Sequence, residues 1–243
     1  MIKYPLAFIR LLLCIIASLY CAFFGLIRIR FSRKKEIYLK YLSMWGSSCL
    51  WFLGYKIDVK GKALPTGTIV MPNHRSYIDI FVVMKYSPSS IVAKKEVGSW
   101  PILRWTVKPF RMILVDRKSS KSMIQTMRSI KDNYERGGKV ILFPEGTTHV
   151  GPDTKKFKPG SFTIAAKTNI PITPIAISYK DPKDAWVGDD YFIPHWFRQL
   201  GKFKKQISVR IGEPIVNDNH EVLMEQTKSW LDANLLDMEM QWN

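Results

Sequence analysis

The stretch Pro72-Asn73-His74-Arg75-Ser76-Tyr77-Ile78-Asp79 sets an imidazole five residues ahead of a carboxylate, where an apolar run gives way to a helical pattern. A carboxylate that accepts a hydrogen bond from one ring nitrogen fixes the tautomer and makes the other nitrogen a base able to take a proton from a hydroxyl. In that reading His74 is the base and Asp79 its orienter. The same residues fit a plainer role, because Ser76-x-x-Asp79 is also a capping-box pattern, which would leave Asp79 on backbone amides at a helix start. Further along, Phe143-Pro144-Glu145-Gly146-Thr147-Thr148 closes an apolar run with a polar turn that exposes a carboxylate and free amides. Glu145 as a turn residue and Gly146 as a positive-φ position are the alternatives there. The run Ile113-Leu114-Val115 ends in Asp116-Arg117, where Arg117 either clamps a phosphate with its planar guanidinium or pairs with Asp116. In Ile170-Pro171-Ile172-Thr173-Pro174-Ile175 two prolines stiffen the entry to a buried strand and read as packing.

These residues need a frame that brings separate loops together. Short apolar, β-rich runs predict strands at 68–71, 91–93, 112–115, 140–143, 172–178 and 207–211, and helical patterns fall at 78–86, 119–135, 161–167 and 219–236. Such alternation implies an α/β domain with a mixed, largely parallel sheet flanked by helices. Parallel strands carry functional loops at their carboxyl ends, which is where Asn73-His74, Asp116-Arg117 and Pro144-Glu145-Gly146 sit.

Residues 11–27 hold no charge and are bracketed by Lys3 and Arg10 before them and Arg28, Arg30, Arg33, Lys34 and Lys35 after them. The window is slightly shorter than the roughly 20 residues needed to cross hydrocarbon, and residues 5–9 extend it if Arg10 snorkels. A second apolar stretch, 41–55 with Trp45, Trp51 and Phe52, follows a polar turn at 32–36. We expect a two-helix membrane-associating hairpin over residues 1–55, dipping into one leaflet, and an α/β domain over 56–243. Packing of the second helix on the domain is an alternative compatible with the first. No small-x-small cleavage site supports a secretory signal.

With 37 Lys+Arg against 20 Asp+Glu in 243 residues the net charge is +17, and 47% of residues are hydrophobic, which excludes a disordered or low-complexity chain. The charge calls for an anionic partner: nucleic acid, an anionic membrane surface or a phosphorylated substrate. Zinc-finger spacing, an RNA-recognition signature and a clear recognition helix are all absent, so nucleic acid is not expected. Cys14, Cys21 and Cys49 lie in apolar stretches without a C-x-x-C pair, arguing against a disulfide framework or a thiolate metal site. His149, His195 and His220 lack partners at metal-ligand spacing and read as surface or satisfied histidines, so no metal is expected. The segment 186–203 alternates aromatic and basic residues, as an interfacial surface or an ordinary amphipathic loop and helix would.

Taken in order, the His74-x4-Asp79, Val115-Asp116-Arg117, Phe143-Pro144-Glu145-Gly146-Thr147 and Ile170–Ile175 blocks resemble the glycerolipid acyltransferase family that includes bacterial 1-acylglycerol-3-phosphate acyltransferase, over roughly residues 67–177. Val92-Ala93-Lys94-Lys95-Glu96 and Phe157-Lys158-Pro159-Gly160-Ser161 are also similar to family segments. The resemblance implies a catalytic dyad of His74 and Asp79, acceptor binding by Glu145, Gly146 and Thr147, and phosphate contacts from Arg117 and Lys94. It implies acyl transfer from acyl-CoA or acyl-carrier protein, as co-substrate and without a cofactor, to lysophosphatidic acid, giving phosphatidic acid for phospholipid synthesis. It also implies a phospholipid surface as partner and a catalytic domain on the cytoplasmic face of the inner membrane. Many phosphatidate-forming members carry an arginine directly after Glu-Gly-Thr, where this chain has Thr148. The loss of that contact opens a second acceptor class: lyso-ornithine lipid or another lysophospholipid. No Gly-x-Ser-x-Gly elbow is present, so direct transfer without an acyl-enzyme is expected, with oxyanion donors among the amides of residues 73–76. A non-catalytic membrane scaffold explains the first 55 residues but not the loop residues.

Overall fold

Runs such as Ile69-Val70-Met71 and Ile175-Ala176-Ile177 are apolar at every position, the pattern of strands covered on both faces. The computed structural model describes residues 3–31, 35–62, 66–99, 107, 111–116, 118–188 and 190–242. In chain order the elements are α1 (Lys3–Phe31), α2 (Lys35–Phe52), β1 (Tyr55–Lys60), β2 (Thr68–Pro72), α3 (Ile78–Tyr86), β3 (Ser90–Lys94), β4 (Ile113–Val115), α4 (Ser120–Glu135), β5 (Lys139–Ile141), α5 (Gly160–Thr168), β6 (Ile172–Tyr179), α6 (Phe192–Gly201), β7 (Lys205–Ile211) and α7 (His220–Met240). The strands form one sheet in the order β1-β7-β6-β2-β5-β3-β4. Every neighbouring pair is parallel except β6 with β7, so β1 and β7 run against the other strands.

Alternate strand residues part to two cores, as a period of two requires. Val70, Ile141, Ile175, Ile177 and Val209 join Leu42, Leu50, Val82, Val83 and Leu200 from α2, α3 and α6. On the opposite face Ile69, Met71, Val140 and Ala176 join Ile130, Phe162, Leu223, Leu231 and Leu235 from α4, α5 and α7. Local signals set several helix ends. Ser119 accepts from the Ser122 amide to start α4, and Asn219 accepts from the Glu221 and Val222 amides to start α7. Asn169, left-handed at φ 52°, ends α5.

All six expected strands and the four expected helices of the domain are present, so the mixed, mostly parallel α/β fold stands. Strand β1 was not expected. Its alternating Tyr55-Lys56-Ile57-Asp58-Val59-Lys60 begins inside the second apolar stretch, and its partner is remote: Tyr55 is in register with Lys205 of β7. Helix α2 starts earlier than the apolar stretch and packs on α3 so closely that a Cβ at Gly46 would lie 2.5 Å from the Phe81 carbonyl oxygen. The second helix therefore buttresses the domain. The turn expected at 32–36 has residues 32–34 outside the described residues.

Helix α1 lies along α2 and α6. The Trp45 indole donates to Ser18 Oγ at 2.9 Å. Arg10, which sequence reading left free to snorkel, has protein partners: its Nη1 donates to the carbonyls of Leu200, at 2.9 Å, and Lys202 at the end of α6. Gly54 leaves the room this needs, since a Cβ there would lie 2.6 Å from the Arg10 guanidinium. Among the described residues α1 alone is long and apolar enough to cross a membrane by length and composition, and its free face exposes Phe8, Leu12, Ile16, Leu19 and Phe23.

Candidate active site

Strand β2 ends at Pro72, and the chain then turns over the carboxyl edge of the sheet before α3 begins. Asn73 fixes the base of this turn. Its buried amide makes a two-way bridge to β6, donating to the Ile177 carbonyl at 3.0 Å and accepting from the Ile177 amide at 2.7 Å. His74 follows, with its ring 4.1 Å from that of Phe143 and Nδ1 2.9 Å from Asp79 Oδ2. Because Asp79 is acceptor-only when ionised, Nδ1 is the protonated nitrogen and Nε2 carries the free lone pair.

Asp79 is fully buried and accepts four hydrogen bonds. Oδ2 takes the imidazole and the amides of Arg75 at 2.7 Å and Ser76 at 2.8 Å, while Oδ1 takes the Tyr179 hydroxyl at 2.6 Å. Both readings of the sequence hold at once: the carboxylate faces the imidazole and also satisfies amides at the helix start. Only half of the capping box forms: Asp79 accepts from the Ser76 amide, while the buried Ser76 hydroxyl has no partner among the described residues. Burial first, and then the neighbouring Asp79, push the Tyr179 phenol well above its usual value, so it remains a donor.

The Glu145 loop sits against the His74 loop. Glu145 Oε1 accepts from the His74 amide at 2.7 Å and Oε2 from the Lys155 amide at 3.0 Å, with the side chain buried. Burial raises its carboxyl above the ordinary range, opposed by those two amides. Arg75 adds a second tie, donating to the carbonyls of His149 at 2.9 Å and Asp153 at 3.1 Å. The amides of residues 73–76 are thereby consumed: Asn73 by Ile175, His74 by Glu145, and Arg75 and Ser76 by Asp79. The oxyanion donors expected there are not available, because the turn spends those amides on holding its own shape.

His74 stands at the edge of a cavity of about 1090 Å³ between α4, α5 and strands β3 to β5. Ile91, Val92, Val115, Met127, Ile130 and Leu142 make an apolar interior, while Lys94, Lys155 and Lys158, all exposed, are the basic residues of its lining. Gly146, Thr147 and Thr148 line the wall beside His74. The structure thus brings together His74, Lys94, Gly146 and Thr147 around one space, with Asp79 directly behind His74 and Glu145 behind the loops. Arg117 lies outside the described residues. Its neighbour Asp116 is 3.9 Å from Lys95 Nζ.

Asn73, Tyr179 and Arg75, together with the clamping geometry of Glu145, were missed from sequence. Only Asn73 carried a local signal, an amide side chain directly after a strand; Tyr179 is 100 residues from Asp79. His195 is buried and satisfied, as expected, by the Tyr77 hydroxyl at 3.0 Å and the Ala185 carbonyl at 3.0 Å. Among the described residues no group of three His, Cys, Asp or Glu side chains is placed to hold a metal ion.

Residues 56–178, from within β1 to the end of β6, match the family model described as Acyltransferase, which is just over half of the chain. This chain belongs to the Acyltransferase family. Two relatives resemble it in sequence. A lyso-ornithine lipid O-acyltransferase from Pseudomonas aeruginosa is 27% identical over 168 residues, covering 67% of this chain and 65% of that protein. A 1-acyl-sn-glycerol-3-phosphate acyltransferase from Helicobacter pylori is 31% identical over 174 residues, covering 63% of this chain and 73% of that protein. The crystal structure of the 1-acyl-sn-glycerophosphate (LPA) acyltransferase from Thermotoga maritima covers the whole of both chains at a TM-score of 0.75 and 23% identity, a likeness of fold. As an Acyltransferase family member, the chain holds its His74 and Asp79 inside the matched segment, whereas α6, β7 and α7 lie beyond it.

Proposed function

We propose that this chain moves a fatty acyl group from a thioester donor, acyl-CoA or acyl-carrier protein, to the free hydroxyl of a lysolipid, with lysophosphatidic acid as first acceptor and phosphatidic acid as product. The observation that carries the reading is His74, backed by Asp79 at 2.9 Å, standing at the edge of a mostly apolar cavity with three lysines on it. The interior suits an acyl chain, each buried CH₂ contributing about 0.8 kcal/mol. Lys94, Lys155 and Lys158 suit a phosphate, with Arg117 adjoining in sequence.

In the proposed mechanism His74 Nε2 removes the hydroxyl proton as that oxygen attacks the thioester carbonyl carbon. Asp79 stabilises the imidazolium. The tetrahedral intermediate collapses with cleavage of the C–S bond, and the departing thiolate recovers the proton from His74. With the amides of 73–76 engaged, the Thr147 and Thr148 donors on the cavity wall are the candidates for the oxyanion. Glu145 acts as a positioning residue that locks the two loops, and Gly146 and Thr147 meet the acceptor. No protein-bound cofactor enters this scheme, and the buried Cys14, Cys21 and Cys49 supply no nucleophile. The domain would work on the cytoplasmic face of the inner membrane with α1 seated in one leaflet.

A second acceptor class, lyso-ornithine lipid, is favoured by one observation: Thr148 lines the cavity where the phosphate-specific pattern would have arginine. The relative from Pseudomonas aeruginosa bears that activity in its name. An acceptor panel of lysophosphatidic acid, lysophosphatidylethanolamine and lyso-ornithine lipid, with acyl-CoA and acyl-carrier protein donors, separates the readings. Fastest turnover of lysophosphatidic acid, lost in His74→Ala, supports phosphatidate synthesis. Preference for lyso-ornithine lipid moves the assignment to the second class, and no acylation with either donor refutes both.

A further inference from the structure

Helix α6 lies beyond the family-matched segment and has two unlike faces. Inward, His195, Gln199 and Leu200 are buried. Outward, Tyr191, Ile193 and Phe197 are 80%, 58% and 45% exposed, and Phe203, just past the helix, is 59% exposed. Large apolar side chains clustered on the outside of an amphipathic helix mark a surface built for an apolar partner.

The partner follows from what the patch adjoins. Arg10 grips the Leu200 and Lys202 carbonyls, so the end of α6 is fixed against the turn of α1 that exposes Phe8, Ile9 and Leu12. The exposed apolar residues of α1 and α6 therefore lie on two helices in direct contact. A lipid bilayer is an apolar partner large enough to meet both. Lys204, exposed beside Phe203, and the net charge of +17 suit an anionic headgroup layer around that apolar patch.

The inward face of α6 reaches the candidate site. His195 Nδ1 accepts from the Tyr77 hydroxyl at 3.0 Å, and the Phe192 ring lies 5.0 Å from that of Tyr77, which stands two residues before Asp79. Trp186 lines the cavity, and its indole donates at 2.7 Å to the Asp190 carbonyl at the entry to α6. One side of the cavity is thus the segment that leads into the exposed apolar helix.

We propose that α6 is a second membrane-docking element, seated in the same lipid surface as α1, and that it sets the Trp186–Gly188 side of the cavity against the bilayer so that the acceptor enters sideways from the leaflet. The docking part stands independently; the delivery part rests on the acyl-transfer reading above.

The test uses the full chain with Tyr191→Ser, Ile193→Ser and Phe197→Ser combined, on vesicles of phosphatidylethanolamine and phosphatidylglycerol. Co-sedimentation should weaken at least about tenfold, as expected when three apolar side chains lose burial at the interface. The melting temperature should hold. Acylation of a vesicle-borne lysolipid should fall in step, while acylation of the same lysolipid dispersed in detergent stays at the wild-type rate. Should the triple variant unfold, Ile193→Cys carrying an environment-sensitive fluorophore reads the same point, since the native cysteines are all buried. Its emission should shift to the blue on vesicles and be quenched by nitroxide lipids. Vesicle binding within twofold of wild type, or an unshifted label, overturns the proposal, including the case in which the patch serves a second copy of the chain or a carrier protein. If wild type acylates nothing, acyl transfer fails while the binding arm still decides docking.

Discussion

An imidazole turned toward substrate is only as useful as the group that fixes its other nitrogen, and Asp79 is itself held by four donors. Replacing His74 by alanine should lower turnover by roughly 10²–10⁴-fold, the range that general-base catalysis supplies, with the melting temperature unchanged. Asp79→Asn should cost up to about 10⁴-fold, as when a triad aspartate elsewhere is changed to asparagine and the wrong tautomer is favoured. Residual activity within tenfold of wild type in His74→Ala removes histidine from the base role. Glu145→Gln discriminates two roles for one residue. A clamp must lose stability, because the new NH₂ group faces one of two amide donors; we expect about 1–3 kcal/mol by urea denaturation together with reduced kcat. An acceptor ligand would instead raise KM and leave the denaturation midpoint in place. The His74 and Asp79 pair was legible because its members are five residues apart and meet across a single turn. The clamp was not, because Glu145 binds an amide 71 residues upstream, and no local pattern encodes which amide a buried carboxylate will find.

Among the elements, strands β2, β5 and β6 announced themselves by mostly apolar runs, since burial on both faces leaves few polar positions, Lys139 and Thr173 among them. β1 did not. It is an edge strand whose exposed positions are charged apart from Val59, and its identity as a strand depends on β7. Helix α2 carries the packing reading in Leu42, Leu50 and the close approach at Gly46, while Trp51 stays exposed, so packing on the domain leaves the membrane reading open. Gly46→Val should separate α2 from α3 and cost about 1–3 kcal/mol in thermal or chemical unfolding, the range for overpacking a close contact. If the cost is negligible, α2 rests on α3 less tightly than the 2.5 Å approach implies.

For the molecule as a whole, burial leaves a signature in the pH dependence of stability. Lys205 lies over the Tyr55 ring, donates to the Gln199 carbonyl at 2.7 Å, and is lowered to about 7, chiefly by burial. Lys139 is lowered to about 8 by the same cause. A lysine depressed in the folded state binds fewer protons there than in the unfolded chain, so stability rises with pH from about 7 toward the ordinary value of 10.5. Melting temperatures between pH 7 and 10 should climb in wild type and climb less in Lys205→Met. An equal slope in both proteins would place the buried charge elsewhere. The pairing of β1 with β7 also has a consequence in time. Tyr55 waits for Lys205, and at ribosomal rates of about 5–20 residues per second that delay is roughly 8–30 seconds. The carbonyls that Arg10 grips emerge equally late. During that interval α1 has α2 to pack on but not α6, so the N-terminal helix pair exists well before the last surface that holds it to the domain.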